Sequence, residues 1–414
     1  MRAVFICFLT FFFSRSDGQP VPSLIEKNEP TLHAITEMEF PAFHAAAPEE
    51  PPAPPVSSFD SAQDDTPPSS EDGIPQYTSI LKQNDVAVPS YPDNHIGVYL
   101  TALKTGDEAF LRETMKNVQE AGGSAIIFDV KDAYVFFETS SPLAAEFRLL
   151  RRKYDIHKVL KLAKENDLYT IARFVALKDQ GLARSAPETQ IRHPKTGKSV
   201  GNVWVDPLHP TVLAYNRELL RDLVATNLLD EINFDYIRYP SEYTPEQVGL
   251  TLEEKETHVE GYLRMAREVI EETGAKTKLG ISTYAILGWN FDLNNERIAQ
   301  DFVRFAPFVD TISPMAYPAS FAEGAYYDPT IHRGSRMYSL VKRTLEGYKT
   351  LLGQEHAWKL RPWIQGYSAS IGNIQDEIEA VYDAGACGFT VWSPSNTYAP
   401  FYKALPMTEV PLSC

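Results

Sequence analysis

Ala125-Ile126-Ile127-Phe128-Asp129-Val130 is a short apolar run rich in strand-forming residues. An amphipathic stretch at 155–164 follows it, and then a second apolar run, Thr170-Ile171-Ala172-Arg173-Phe174-Val175. Runs of about six such residues suit strands, whereas Ile156, Val159, Leu160 and Leu162 recur at helical spacing. Two parallel strands need a crossover between them, so strand, helix, strand in this order reads as a parallel βα unit. The same alternation extends outward in both directions. Strand-like runs stand at 96–100, 231–237, 279–283, 309–315, 361–367 and 388–392. Helical patterns stand at 107–121, 212–225, 251–272, 298–305, 338–352 and 374–384. Eight strands over some 300 residues predict an α/β fold of the (β/α)8 TIM-barrel type. Little chain follows Trp392, so the eighth helix is expected to be short or missing. An open doubly wound sheet would want a Gly-rich phosphate loop after its first strand, and 100–106 (LTALKTG) is not one.

Before the barrel the composition is different. Residues 3–13 form an apolar run too short to span a bilayer as a helix, and 1–17 read as a signal peptide or short anchor. Fourteen of the 30 prolines lie between Pro20 and Pro92, interleaved with serine and acidic residues. Such a stretch cannot bury enough apolar surface to offset its ordering entropy, so 18–92 are expected to be a disordered linker and 93–414 the folded domain. A secreted or cell-surface protein is expected, with any membrane tether confined to the N-terminus. The net charge of −16 argues against a nucleic-acid partner. Cys7, Cys387 and Cys414 are too few for a disulfide framework, and no Cys/His spacing suggests zinc. Neither a metal nor a cofactor is expected, and a monomer is.

A barrel of this kind places its working residues at the C-terminal ends of the strands. Phe234-Asp235-Tyr236-Ile237-Arg238-Tyr239-Pro240 is the strongest signal, because an Asp inside an apolar strand is costly unless paired or used. Arg238 is positioned to reach Asp235 if the strand kinks before Pro240. In Phe128-Asp129-Val130-Lys131-Asp132, alternation puts Asp129 and Lys131 on one face. Asp235 is the expected nucleophile or stabilising carboxylate, with Asp129 or Asp132 as acid/base. Lys131, Arg173, Arg238 and Gln365 are expected to hold hydroxyls. Tyr317, Trp363 and Trp392 form a candidate sugar platform, with Asn396 beside them. Asp310, at the start of strand six, is assigned to structure. Asp206, followed by Pro207, looks like a helix N-cap.

The runs at 126–132 and 234–240 resemble an uncharacterised bacterial family described as a "putative glycosyl hydrolase domain". So do Val309 to Pro318 (VDTISPMAYP), Arg361 to Gln365 (RPWIQ) and Trp392 to Asn396 (WSPSN). The resemblance covers about residues 94–400 and implies a TIM barrel acting on glycosidic bonds of a polysaccharide. Two departures stand out. The family pattern carries an Asp on strand five where this chain has Ile281-Ser282-Thr283-Tyr284. It carries Gln-Asp on strand seven where this chain has Gln365-Gly366. Strand four is also distantly similar to a chitinase-like pattern, in which a Glu follows the matched Asp by two positions and Ile237 stands here. Paired carboxylates are the usual minimum for glycoside hydrolysis. The expectation is therefore a glycoside hydrolase. The alternatives are a catalytically inactive glycan-binding barrel and a cell-envelope interaction protein.

Overall fold

The computed structural model describes residues 94–412 and 414, so the expected signal or anchor and the expected linker lie outside the described residues. Eight parallel strands close into a barrel in chain order. They are β1 Ile96–Leu100, β2 Ala125–Lys131, β3 Tyr169–Val175, β4 Glu231–Asp235, β5 Lys278–Tyr284, β6 Thr311–Met315, β7 Trp363–Gln365 and β8 Phe389–Trp392. β8 pairs back onto β1 through Ile96↔Phe389, Gly97↔Thr390 and Val98↔Val391. One principal helix follows each strand: α1 Glu108–Glu120, α2 Ile156–Glu165, α3 Pro210–Val224, α4 Leu252–Thr273, α5 Phe291–Ile298, α6 Arg336–His356, α7 Ile371–Asp383 and α8 Ala399–Ala404. The eighth, of six residues, is a short helix.

Both faces of each strand are covered, which is why the strands read as nearly continuous apolar runs. The outward residues Ile126, Phe128, Phe174 and Phe234 pack with Met115, Leu160, Leu219 and Tyr262 of the helices in one large core. The inward residues Tyr99, Ala125, Ile127, Ile171, Tyr317 and Trp363 fill the lumen. Polar inward positions climb β4. At the bottom, buried Glu231 accepts from both terminal nitrogens of Arg361 and, at 3.1 Å, from the Tyr169 hydroxyl. In the middle, Asn233 Oδ1 accepts from Ser282 Oγ at 2.7 Å, which itself accepts from Trp363 Nε1 at 2.9 Å. Asp235 is the top rung.

Several expectations change. β4 stops at Asp235 because Tyr236 takes φ 54° and breaks the extended chain. The single helix expected at 298–305 is two: α5 ends where Ala299 turns left-handed at φ 48°, and a new turn, Phe302–Phe305, starts under the Asp301 side chain. Asp206 caps a tight turn through Leu208 N, while His209 caps α3 through Thr211 N. Asp310 holds the Leu279 amide and Arg267 at the lower rim. Few as the cysteines are, Cys387 and Cys414 form a disulfide, tying the residue two before β8 to the chain's last residue. Counting cysteines alone cannot reveal such a single staple, because it depends on where the C-terminus lies.

Candidate active site

The register of β2, β3 and β4 brings the site together. Asp129 lies level with Arg173, and the next inward residue of β4 after Asn233 is Asp235, so three charged side chains reach the C-terminal mouth on adjacent strands. Arg173 stands between the two acids. Its Nη1 donates to Asp129 Oδ1 at 2.7 Å, and its Nε and Nη2 donate to Asp235 Oδ2 at 2.9 and 2.6 Å. Asp235 Oδ1 accepts from the Tyr236 amide at 2.7 Å, a bond the left-handed turn at Tyr236 makes available. Asp129 Oδ2 accepts from the Tyr99 hydroxyl at 2.5 Å. Two oxygens held by one guanidinium lie no more than about 8 Å apart, below the upper limit of about 9.5 Å between working carboxyls of glycoside hydrolases.

The triad is nearly closed off, with Asp129 6%, Asp235 8% and Arg173 9% exposed. Burial pushes the Asp129 carboxyl above the usual aspartate range, against the lowering effects of Arg173 and the Tyr99 hydroxyl. Burial works against the charge of Arg173 too, but Asp235 and Asp129 outweigh it and hold its pKa well above the ordinary arginine value. Tyr99, also pushed up, first by burial and then by Asp129, stays protonated and donates. Asp132 is exposed just beyond, close enough for its charge to raise Asp129 further.

Other predicted residues fall elsewhere. Lys131 does not share a face with Asp129. The β2–β3 register slips between them, Asp129 pairing with Arg173 but Lys131 with Phe174, so a bulge at Val130 turns Lys131 to the outside of the wall. There it is fully buried, paired with Asp179 at 2.8 Å and donating to Val175 O. It lies over the Phe174 ring and beneath Tyr215 of α3, and cannot touch a ligand in the mouth. Arg238 does not reach Asp235. It donates to Tyr239 O at 2.8 Å and to the Tyr284 hydroxyl at 2.5 Å, among the rings of Trp204, Tyr236 and Tyr284. Ile237, in the position of the chitinase-like Glu, is buried in the outer core.

Gln365 and Asn396 are staples rather than free hydrogen-bonding groups. Gln365 accepts from Ala319 N and donates to Tyr367 O. Asn396 accepts from Thr101 N and donates to Ser393 O, joining the last loop to the first. Trp363 and Tyr317 are only 3% and 2% exposed, so they support the floor instead of presenting a face. The half-buried Trp392 is the open ring of that group, with Tyr317 at 5.5 Å and Tyr367 edge-on at 5.2 Å between centroids. Tyr99 was not among the expected residues. Its sequence signal is one hydroxyl-bearing ring at the top of an otherwise aliphatic strand, Ile96-Gly97-Val98-Tyr99-Leu100.

No curated protein matches the chain. Among solved structures, a β-galactosidase from the psychrophilic Marinomonas ef1 is similar with a TM-score of 0.52 and 11% identity, over 76% of this chain and 58% of that one. The catalytic domain of a β-amylase from Paenibacillus polymyxa is similar with a TM-score of 0.51 and 12% identity, over 77% and 99%. A hypothetical protein from Ruminiclostridium thermocellum ATCC 27405 shares 28% identity with a TM-score of 0.38, over 44% and 96%. At such identities the first two similarities speak to the barrel fold alone. The family model described as "Putative glycosyl hydrolase domain" matches residues 97–398, which span all eight strands and the whole Asp129–Arg173–Asp235 mouth, and the chain belongs to that family.

Proposed function

We propose that the barrel hydrolyses glycosidic bonds in a polysaccharide, with Asp235 as the nucleophile or stabilising carboxylate and Asp129 as the acid/base. The observation that carries this reading is the joining of two inward carboxylates on one guanidinium at the C-terminal mouth, with the Trp392 ring 6.4 Å from that of Tyr99, which holds Asp129. The elevated Asp129 carboxyl suits a group that must give a proton to a leaving oxygen. Asp235, gripped by Arg173 and the Tyr236 amide, is held in place to face an oxocarbenium-like centre. Arg173 orients both, and Tyr99 fixes the Asp129 rotamer. Asp132, at the exposed rim, stands as the alternative acid. The Cys387–Cys414 bridge supports export to an oxidising compartment, at the cell surface or beyond.

A specific observation also favours a second reading. Arg173 occupies the space between the carboxylates, where a scissile oxygen would have to sit, and neutralises both. A barrel that keeps this clasp on binding would hold a glycan without cutting it. Reducing-end release from a panel of cell-wall polysaccharides, paired with direct glycan binding, separates the two. Release that Asp235→Asn abolishes establishes the hydrolase. Binding with no release from any polymer establishes the lectin.

A further inference from the structure

Outside the mouth, a cavity of about 260 Å³ opens between the β2–α2 and β3–α3 loops. Arg148, Arg151 and Arg184 line it, together with Tyr134. None of the three arginines has a carboxylate partner within salt-bridge distance among the described residues, although the chain carries a net charge of −16. Arg151 spends only Nη1, on the carbonyls of Arg148 and Leu150, and lies 4.6 Å over the Tyr134 ring, which leaves the other edge of its guanidinium free.

The backbone is bent to build this cavity. Arg148 takes φ 57°, a left-handed conformation that glycine adopts more cheaply, yet it carries a guanidinium there. The short helix Gln180–Ser185, which bears Arg184, packs so tightly that a Cβ on Gly181 would stand 1.9 Å from Ala133 O. Asp179 caps that helix at Leu182 N while paired with Lys131, which pins the helix to the barrel wall. Ala133 lines the cavity and follows Asp132, so the cavity lies on the same C-terminal face as the candidate mouth, one turn of chain outward.

We propose that this cavity binds an anionic substituent of the polysaccharide, a carboxylate, sulfate or phosphate group on a sugar beyond those in the mouth. This rests on the reading above that the mouth's ligand is a glycan. Three arginines on the lining of one cavity with room for a substituted sugar suit an anionic group on that sugar, because arginine grips carboxylates, sulfates and phosphates through paired N–H donors. A neutral polymer would leave those donors to water. The class of polymer the barrel prefers is therefore acidic.

The test is titration calorimetry of the whole chain with oligogalacturonate, dextran sulfate, unmodified dextran, inorganic phosphate and anionic phospholipid vesicles, at low and physiological salt. Each is measured against the wild type and against Arg148→Gln/Arg151→Gln/Arg184→Gln, whose substitutions are at exposed positions. The expected result is binding of one acidic glycan that weakens about 10²-fold in the variant and weakens with salt, while dextran responds to neither change. Equal binding of acidic glycans by both proteins, or no binding of them, overturns the proposal. So does arginine-dependent binding of phosphate or vesicles without any glycan. Arginine-dependent binding with no cleavage of any polymer would defeat only the hydrolase reading. Cleavage indifferent to the three arginines would defeat only this one.

Discussion

Replacing Arg173 with methionine isolates what holds the candidate site together. The side chain makes three charge-assisted bonds of 2.6–2.9 Å to two nearly buried carboxylates. Removing one partner from a buried ion pair costs about 3–5 kcal/mol, because a charge is left without compensation. Here two like charges would face one another, and the folded chain can limit the damage by binding a proton. At pH 7 that uptake costs about 4 kcal/mol for a carboxyl with an ordinary value near 3.9. The expected loss at pH 7 is thus about 4 kcal/mol. Removing the cation takes away the main influence that lowers the Asp129 carboxyl, so its folded-state pKa rises further and the variant's deficit is largest at neutral pH. It shrinks by about 1.4 kcal/mol for each unit of acidification towards pH 5. A barrel of roughly 320 residues unfolds with an entropy of about 0.67 kcal/mol/K, so Tm should fall by about 6 °C at pH 7. Adding Asp129→Asn should recover much of the loss by removing one of the two charges. Differential scanning calorimetry of wild type, Arg173→Met and the double variant from pH 5 to 8 provides the measurement. A deficit below about 1 kcal/mol at pH 7, or one that does not change with pH, would refute the picture of two nearly buried carboxyl groups held by Arg173.

Other outcomes follow from the same geometry. On a polysaccharide that the barrel cuts, Asp235→Asn and Asp129→Asn should each lower kcat by about 10²–10⁴-fold in reducing-sugar assays, and loss at Asp132→Asn instead would reassign the acid. Because the folded Asp129 carboxyl is raised, the rate should fall as pH rises through its value, and Asp129→Asn should flatten that limb. For stability the sign is the same. The contribution of this group is complete below the unfolded value near 3.9 and is lost as pH rises through the higher folded value, a slope that urea titrations of Asp129→Asn should lack. The Cys387–Cys414 bridge closes a separation of 27 residues, so Cys387→Ser/Cys414→Ser should cost about 3.5 kcal/mol by chemical denaturation, and an unchanged midpoint would mean that the staple is idle.

The barrel itself is legible in the sequence, because both faces of a parallel strand are buried and leave dense apolar runs between amphipathic helices. Asp129, Arg173 and Asp235 are legible for a related reason. A charge inside such a run must be paired or used, and these three meet that need by turning inward at the mouth. What periodicity cannot reveal is where it is interrupted. Lys131 was assigned to the wrong face because one bulged residue inverts the alternation. Arg238 was paired with Asp235 because the left-handed turn at Tyr236, which sends it among aromatic rings, leaves no mark in composition. Trp363 reads as a binding ring, yet its Nε1 is committed to Ser282 deep in the lumen, and only packing determines that depth. The disulfide depended on the path of the last 22 residues, for which no pattern exists.

The β2 bulge also limits how this barrel can be rebuilt. It makes one strand carry charge to two compartments: Asp129 to the lumen, and Lys131 to the shell between wall and helices. Ironing out the bulge while keeping Val130 in the strand would restore the plain alternation over 129–131 and swing Lys131 inward beside Arg173. Two cations would then crowd the two acids of the mouth, and Asp179 would be stranded in the shell as an uncompensated charge. A β2 segment transplanted from a barrel with a regular strand would do the same, however well its apolar residues matched. For chimeras and loop grafts the indivisible unit is therefore β2 together with Asp179 and its helix, and the seams belong before Ala125 and after Ser185.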